Sequence, residues 1–136
     1  MVLSGGGEDA AMLGRDFGEA VGMTFQIIDD TLDFVGETEV MGKPRLADFS
    51  SERFTLPVIH AFKEVPREDV DRVFSDGDGS SEWVEEQVRA NGGIEFSYEK
   101  AREYTSRAQS ILSRFGNEKA ISIFEDFFDM LVSRAY

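Results

Sequence analysis

The sequence predicts an all-α protein folded as a helical bundle. Apolar residues recur at spacings of three and four in successive stretches, which is the period of amphipathic helices. Strand-like alternation of apolar and polar residues is absent from the sequence. Turn-forming segments such as Asn91-Gly92-Gly93 and Gly116-Asn117 separate these stretches. A length of 136 residues suits one compact domain.

The first predicted helix is the longest and runs from Glu8 to about Val35. Its acidic start is favourable because the N-terminal end of a helix carries partial positive charge. Gly14, Gly18 and Gly22 recur every four residues on one face. Each glycine costs about 1 kcal/mol relative to alanine inside a helix. The repeat therefore predicts close contact with another helix at these positions.

The remaining helices are predicted from apolar stripes between turns. They span Thr55 to Phe62 with Leu56, Ile59 and Phe62 inward, Pro66 to Asp76, Ser80 or Ser81 to Asn91, Ile94 to Phe115, and a last helix carried by Ala120, Ile123, Phe124, Phe127, Phe128 and Leu131. The inner face of the helix from Ile94 is predicted to consist of Ala101, Tyr104, Ala108, Ile111 and Leu112. His60 is predicted to be a surface histidine without a catalytic role.

Acidic residues cluster near the end of the first helix. Asp30 and Asp33 are i,i+3 neighbours and Asp29 and Asp33 are i,i+4 neighbours, so the three carboxylates share one helical face. Gln26 and Glu37 extend this polar stripe. Carboxylates this close repel one another, and a divalent cation such as Mg²⁺, together with substrate phosphates, is the simplest compensation. A solvated acidic helix face is the alternative interpretation.

The other side of the same helix is predicted to be apolar and to face the core. Its members are Phe25, Ile28, Leu32 and Val35 at helical spacing, with Met23, Ile27 and Phe34 beside them.

The motif and its flanks resemble a known family. Residues 25–33, Phe-Gln-Ile-Ile-Asp-Asp-Thr-Leu-Asp, are followed by Gly42-Lys43-Pro44, Asp48 and residues 55–59, Thr-Leu-Pro-Val-Ile. This pattern closely resembles the second aspartate-rich region of trans-isoprenyl diphosphate synthases, the polyprenyl synthetase family. The likeness extends upstream through Leu13-Gly14 and the glycines up to Gly22, and downstream through Ala101, Tyr104, Ala108 and Leu112 to Arg134.

The resemblance implies a helical bundle of the isoprenoid synthase type, of which this chain holds only the C-terminal helices. Residues 1–136 would form the C-terminal part of a single domain, without the N-terminal half and its first aspartate-rich motif. The resemblance also implies metal binding by Asp29, Asp30 and Asp33, the first directly and the others mainly through water. Asp29 and Asp30 are thereby candidate catalytic residues.

Further site residues follow from the same resemblance. Lys43 is expected to bind the allylic diphosphate and to act in catalysis as a point charge. Gln26 orients the site, and Asp48 supports it. Arg53 stands where the family typically has lysine, and Glu52 stands where it has glycine, so a phosphate contact by Arg53 would be made beside an added negative charge.

The implied activity is Mg²⁺-dependent head-to-tail condensation of isopentenyl diphosphate with an allylic diphosphate, giving linear polyprenyl diphosphates. The full-length enzyme is expected to be a homodimer. The chain alone is expected to be inactive, because it contains one aspartate-rich motif rather than two. Two alternatives are a class I terpene synthase and, from another class, a non-catalytic helical subunit or interaction domain derived from a prenyl synthase.

Composition excludes several other functions. A formal net charge of −13 argues against nucleic acid and anionic membrane surfaces as partners. The absence of cysteine excludes disulfides and thiolate sites, and a single histidine argues against a histidine-based zinc site. No stretch approaches the roughly 20 apolar residues of a membrane span, and the first residues do not resemble a signal peptide. The sequence predicts a cytoplasmic protein.

Overall fold

A computed structural model describes residues 6–35, 54–76 and 80–133 of the chain. Within these ranges the chain forms six helices and no β-strand, which confirms the all-α prediction. The helices are α1 Glu8–Val35, α2 Leu56–Ala61, α3 Arg67–Asp76, α4 Ser80–Ala90, α5 Gly93–Ser113 and α6 Glu118–Ser133. Across the described part of the chain, every helix is too short or too polar to cross a membrane.

The chain divides into two compact units. One comprises Met1–Gln26 and Lys100–Tyr136, and the other comprises Ile27–Glu99. Because the boundaries fall within α1 and α5, each of these helices contributes to both units. The aspartates of interest all belong to the second unit.

The core of the second unit is built where α1, α2 and α4 meet. Its buried residues are Phe34 from α1, Val58 and Ala61 from α2, and Val84 and Val88 from α4, with Phe62, Trp83 and Ile94 packed against them. Burying such side chains is the main stabilising contribution to a small helical unit. The aspartate-bearing end of α1 is thus anchored through Phe34.

The first unit buries a mixed set of small and aromatic side chains. Phe17 packs edge to face on Phe124 with ring centroids 4.9 Å apart. The hydroxyl oxygens of Thr24 and Thr105 lie 3.4 Å apart in the interior. The fully or nearly fully buried apolar residues are Ala20, Ala101, Ala108, Leu112, Phe128 and Leu131.

Two glycines end helices as the sequence predicts. Gly92 follows α4 with φ +68° and Gly116 follows α5 with φ +65°, a left-handed conformation that favours glycine at helix C-termini. Asn117 then caps α6, because its Oδ1 accepts a hydrogen bond of 3.1 Å from the backbone N–H of Ala120. The predicted boundaries of α2 and α5 differ from the observed ones by one or two residues.

The predicted apolar side of α1 is confirmed at Ile27, Ile28 and Phe34, which are buried, and is wrong at three other positions. Phe25 is 50% exposed, and Met23 and Val35 are also exposed. The buried stripe runs through Ala20, Thr24, Ile27, Thr31 and Phe34, at spacings of three and four residues, and so adds one alanine and two threonines to the predicted residues. The Thr24 and Thr31 hydroxyls donate to the carbonyls of Ala20 and Ile27, at 3.0 and 2.6 Å. Their polar atoms are satisfied within the helix, so both threonines can be buried.

Two predicted core residues elsewhere are also exposed. Ile59 of α2 is 49% exposed, because α2 buries Pro57, Val58 and Ala61 instead. Ile123 of α6 is 58% exposed.

His60 differs from its prediction as a surface residue. Its ring is partly buried and stacks on Phe96 at a centroid distance of 3.9 Å. Stacking on an aromatic ring is a packing role, and the site residues considered below do not include His60.

The glycine repeat of α1 does not make the predicted close contacts at two of its three positions. A Cβ atom added at Gly18 or Gly22 would meet nothing within 4 Å among the described residues. The close glycine contact lies instead at Gly93, where an added Cβ would be 2.4 Å from the Pro57 carbonyl oxygen. The first residue of α5 therefore packs directly against the backbone of α2.

Candidate functional site

The three aspartates occupy the last two turns of α1, as predicted. Asp30 and Asp33 are 8% and 4% exposed, whereas Asp29 is partly buried. Carboxylates are seldom buried unless they are paired or bind a metal, because burial removes the water that stabilises their charge. The burial of two acidic residues one turn apart distinguishes this helix end from an ordinary solvated acidic face.

The backbone that carries these side chains is held by the core. Ile27 and Ile28 are each 3% exposed at the start of the aspartate turns, and Phe34 at their end belongs to the buried cluster of the second unit. Apolar anchors thus precede and follow the aspartates on the same helix. An anchored helix end presents its side chains in a defined arrangement, which a ligand-binding site requires.

A cation from another helix contacts the same turn. The Arg89 Nη2 of α4 donates a hydrogen bond of 2.7 Å to the backbone carbonyl oxygen of Phe34. The same guanidinium donates to Glu85 Oε1 from Nε at 3.2 Å and from Nη2 at 2.9 Å. Arg89 is not among the site residues predicted from the sequence. The available signal was a last-turn arginine four residues after a glutamate, which is common on solvated helices.

Gln26 and the predicted residues of the following segment are placed differently. Gln26 is exposed on α1, one turn before Asp29 and Asp30. Lys43, Asp48 and Arg53 lie outside the described residues, as do Glu37 and Glu52. The structure therefore positions the aspartates of the predicted site, and the predicted diphosphate contacts of Lys43 and Arg53 stay predictions.

The donor chemistry of the aspartate turns fits Mg²⁺. Carboxylate oxygens are hard ligands, and Mg²⁺ is usually held by one or two carboxylates, several waters and substrate phosphates. Among residues 6–35, 54–76 and 80–133, no three acidic or histidine side chains are grouped closely enough to hold an ion by themselves. The aspartate turns therefore supply carboxylate oxygens of the kind that Mg²⁺ binds.

Comparison with known proteins identifies the family. Residues 1–90 match the sequence model described as polyprenyl synthetase. This chain belongs to the polyprenyl synthetase family. The matched range includes every predicted site residue from Gln26 to Arg53, so the resemblance of the aspartate motif and its flanks is confirmed at the level of the family.

Polyprenyl diphosphate synthases of a plant and a slime mould are similar to this chain over most of its length. The chain is 38% identical over 109 residues to "Solanesyl-diphosphate synthase 1, mitochondrial" of Oryza sativa subsp. japonica, covering 79% of this chain and 25% of the rice protein. It is 36% identical over 114 residues to "Decaprenyl-diphosphate synthase" of Dictyostelium discoideum, covering 82% of this chain and 25% of that protein.

An archaeal relative matches along more of the chain at lower identity. It is the "Short chain isoprenyl diphosphate synthase" of Methanothermobacter thermautotrophicus, 28% identical over 133 residues. The match covers 93% of this chain and 41% of the archaeal protein. This polyprenyl synthetase family member therefore spans between about a quarter and two fifths of the length of these relatives.

Proposed function

We propose that this chain supplies the second aspartate-rich part of a trans-prenyltransferase that makes linear polyprenyl diphosphates. The reaction is Mg²⁺-dependent head-to-tail condensation of isopentenyl diphosphate with an allylic diphosphate. The observation that carries the proposal is the pair of buried carboxylates, Asp30 and Asp33, on an anchored helix end within a polyprenyl synthetase match. The family favours prenyl transfer over terpene cyclisation.

The site residues predicted from the sequence indicate how the chain would contribute to this reaction. Asp29, Asp30 and Asp33 would hold Mg²⁺, and Gln26 would orient the site. Lys43 and Arg53 would contact the diphosphate, with Asp48 in a supporting role. Bound Mg²⁺ would supply positive charge to the diphosphate leaving group as the allylic carbon–oxygen bond breaks. The remaining tasks of the chain are to fix the carboxylates and to limit water at the allylic carbon.

The surface beside Asp29 suits a ligand with both a charged and an apolar part. Leu32 lies one turn after Asp29 and is partly buried, and Val35 lies one turn after Leu32 and is 36% exposed. An apolar strip next to a carboxylate can accept a hydrocarbon tail beside a metal-bound diphosphate. This arrangement supports an allylic diphosphate as the ligand rather than a simple inorganic anion.

The first test is Mg²⁺-dependent binding of a non-hydrolysable allylic diphosphate, measured by calorimetry. We expect the chain to bind the analogue with Mg²⁺ and to lose about tenfold or more in affinity when Asp29 or Asp33 is replaced by alanine, since removing an acidic ligand weakens the metal contact. Asp29→Ala changes packing least, because Asp29 is only partly buried.

The matched control is Asp16→Ala, which removes the same charge from α1 at a position that pairs with the exposed Arg15 at 3.8 Å. Affinity equal to that of the unaltered chain is expected for this control. Equal loss in Asp16→Ala and Asp29→Ala would instead indicate a general charge effect and would contradict the assignment of the aspartates.

A second expectation concerns turnover. The purified chain is predicted to form no elongated product from labelled isopentenyl diphosphate and an allylic diphosphate, because its sequence contains one Asp-Asp-x-x-Asp motif and the proposed metal site is incomplete without further acidic groups. Extraction of radiolabelled polyprenyl products after incubation with Mg²⁺ provides the measurement. Chain elongation by this polypeptide alone would show that a second acidic motif is not needed.

The homodimer expected for the full-length enzyme and the cytoplasmic location stay predictions.

A further inference from the structure

The end of α1 gathers negative charge without a basic residue of its own. The last carbonyls of a helix have no partner within the helix, and together they give its C-terminus a partial negative charge. Asp29, Asp30 and Asp33 lie in the same two turns, and the last turn of α1 contains no basic residue. A charged donor from elsewhere in the fold would therefore stabilise this end of the helix.

Arg89 provides such a donor from a distant part of the chain. Its Nη2 reaches the Phe34 carbonyl oxygen at 2.7 Å across a separation of 55 residues. A charged donor to a helix C-terminal carbonyl both satisfies the carbonyl and opposes the helix dipole. Phe34 directly follows Asp33, so the contact is made to the turn that carries the buried carboxylates.

Two further contacts orient Arg89. Glu85, one turn earlier on α4, accepts hydrogen bonds from Nε and Nη2 of the guanidinium. Val88, adjacent to Arg89, is 0% exposed and belongs to the same buried cluster as Phe34. Phe34 is thus held twice by α4, through its side chain in the core and through its carbonyl at Arg89. A surface Arg–Glu pair alone would contribute little, so the bond to Phe34 distinguishes this arginine.

We propose that Arg89 is a positioning residue for the aspartate site, which holds the last turn of α1 so that Asp30 and Asp33 keep the geometry needed for Mg²⁺ and diphosphate. The inference rests on the proposed function for its ligand, but the conformational part concerns this chain's own residues. Arg89 touches neither metal nor diphosphate in this assignment and acts through the backbone of α1.

The test compares Arg89→Met with Arg89→Lys and with a matched control. Methionine keeps much of the apolar length but removes all donors, whereas lysine keeps the charge and donates from a single ammonium nitrogen. The control is Arg72→Met, because Arg72 of α3 forms a 2.8 Å ion pair with Asp69 on its own helix. The control removes an exposed arginine and an ion pair of similar length without a contact to α1 among the described interactions.

The first measurement is amide hydrogen exchange of the segment 27–35 in the metal-free chain. Loss of a charged hydrogen bond at the helix end is expected to raise local exchange about fivefold in Arg89→Met, with an intermediate effect in Arg89→Lys and none in Arg72→Met. Exchange in the peptide covering α6 is expected to stay unchanged in all three variants. Unchanged exchange at 27–35 in Arg89→Met would overturn the inference.

The second measurement is Mg²⁺-dependent affinity for the non-hydrolysable allylic diphosphate. About tenfold weaker binding is expected in Arg89→Met, partial rescue in Arg89→Lys, and no change in Arg72→Met. Affinity in Arg89→Met equal to that of the unaltered chain would also overturn the inference, even if the helix end exchanges faster. Failure of the unaltered chain to bind contradicts the proposed function of this chain, and the exchange comparison then decides the role of Arg89 by itself.

Discussion

Replacement of Phe34 by alanine is expected to lower the free energy of unfolding by about 4 kcal/mol, the range found for removing a buried phenylalanine from a packed core. Phe34 is 2% exposed and packs in a cluster with Val58, Ala61, Val84 and Val88. Truncation removes its transfer free energy and leaves a cavity among residues of three helices. The large effect follows because no neighbour can fill the space without moving a helix.

The measurement for Phe34→Ala is urea unfolding followed by the fluorescence of Trp83. This is the only tryptophan of the chain, and it packs against the Phe34 cluster and lies 5.7 Å from the Phe62 ring. Its emission therefore reports on the second unit. Phe25→Ala on the same helix is the control, because Phe25 is 50% exposed and its truncation should change stability by less than about 1 kcal/mol. Equal destabilisation by both variants would contradict the burial assigned to Phe34.

A loosened Phe34 should also affect the aspartate site. Asp33 precedes Phe34 directly, and the backbone carbonyl of Phe34 is the acceptor for Arg89. If part of the Phe34→Ala population remains folded, it should bind the allylic diphosphate analogue more weakly than the unaltered chain. Truncation of a core residue of the other unit, such as Phe128, is not expected to weaken binding in this way.

The sequence predicted the helices well because their periodicity and their stop signals are local properties. The extent of α1 and the helix ends at Gly92 and Gly116 could be read from spacing and from glycine alone. Which side of a helix is buried depends on neighbours in space, and there the prediction failed at Phe25, Ile59 and Ile123.

Threonine explains part of that failure. When threonine is treated as a polar residue, Thr24 and Thr31 are left out of the predicted buried face of α1. Both residues are 0% exposed. Ser97 and Thr105 of α5 are buried in the same way, with hydroxyls that donate to the carbonyls of Gly93 and Ala101 at 2.7 and 2.9 Å. A serine or threonine in a helix can donate its hydroxyl to the carbonyl oxygen four residues earlier, so it can be buried at little cost. A prediction based on apolar periodicity alone does not include such residues in the core.

Only those residues of the candidate site that lie close together in the sequence could be predicted. Asp29, Asp30 and Asp33 lie within five positions, so their shared helix end followed directly from spacing. Arg89 is 55 residues from Phe34, and nothing in the local pattern of α4 specifies that its guanidinium reaches α1. Tertiary contacts of this kind need the fold before they can be recognised.

The glycines that make close tertiary contacts also could not be identified from sequence spacing. The regular repeat of α1 predicted close contacts, but the described part of the chain makes none at Gly18 and Gly22, whereas Gly93 makes one that no repeat indicated. A Cβ at Gly93 would lie 2.4 Å from the Pro57 carbonyl oxygen and 3.1 Å from Val88 Cγ1. The first obstacle is backbone, so it cannot move aside as the end of a flexible side chain could.

Gly93→Ala is therefore expected to destabilise the chain by about 3 kcal/mol, at the upper end of the cost of overpacking a core. Alanine is otherwise the more favourable residue in a helix, and Gly93 does not have the left-handed φ of Gly92, so backbone preference would predict the opposite sign. A decrease in the free energy of unfolding would therefore indicate the close approach of α5 to α2, and an increase would argue against it. Urea unfolding monitored by Trp83 fluorescence reports it directly, because Val88 and Trp83 share the same core region.

The matched controls are Gly18→Ala and Gly22→Ala, which place the same methyl group in α1 where no residue of the described ranges lies within 4 Å. Each should leave stability unchanged or raise it by up to about 1 kcal/mol, because alanine lowers the conformational entropy lost on helix formation. A stabilising effect of Gly93→Ala similar to these controls would mean that α5 does not rest on the Pro57 carbonyl. Opposite signs at Gly93 and at the two glycines of α1 would show that a glycine is needed at the α2–α5 contact and not at Gly18 or Gly22.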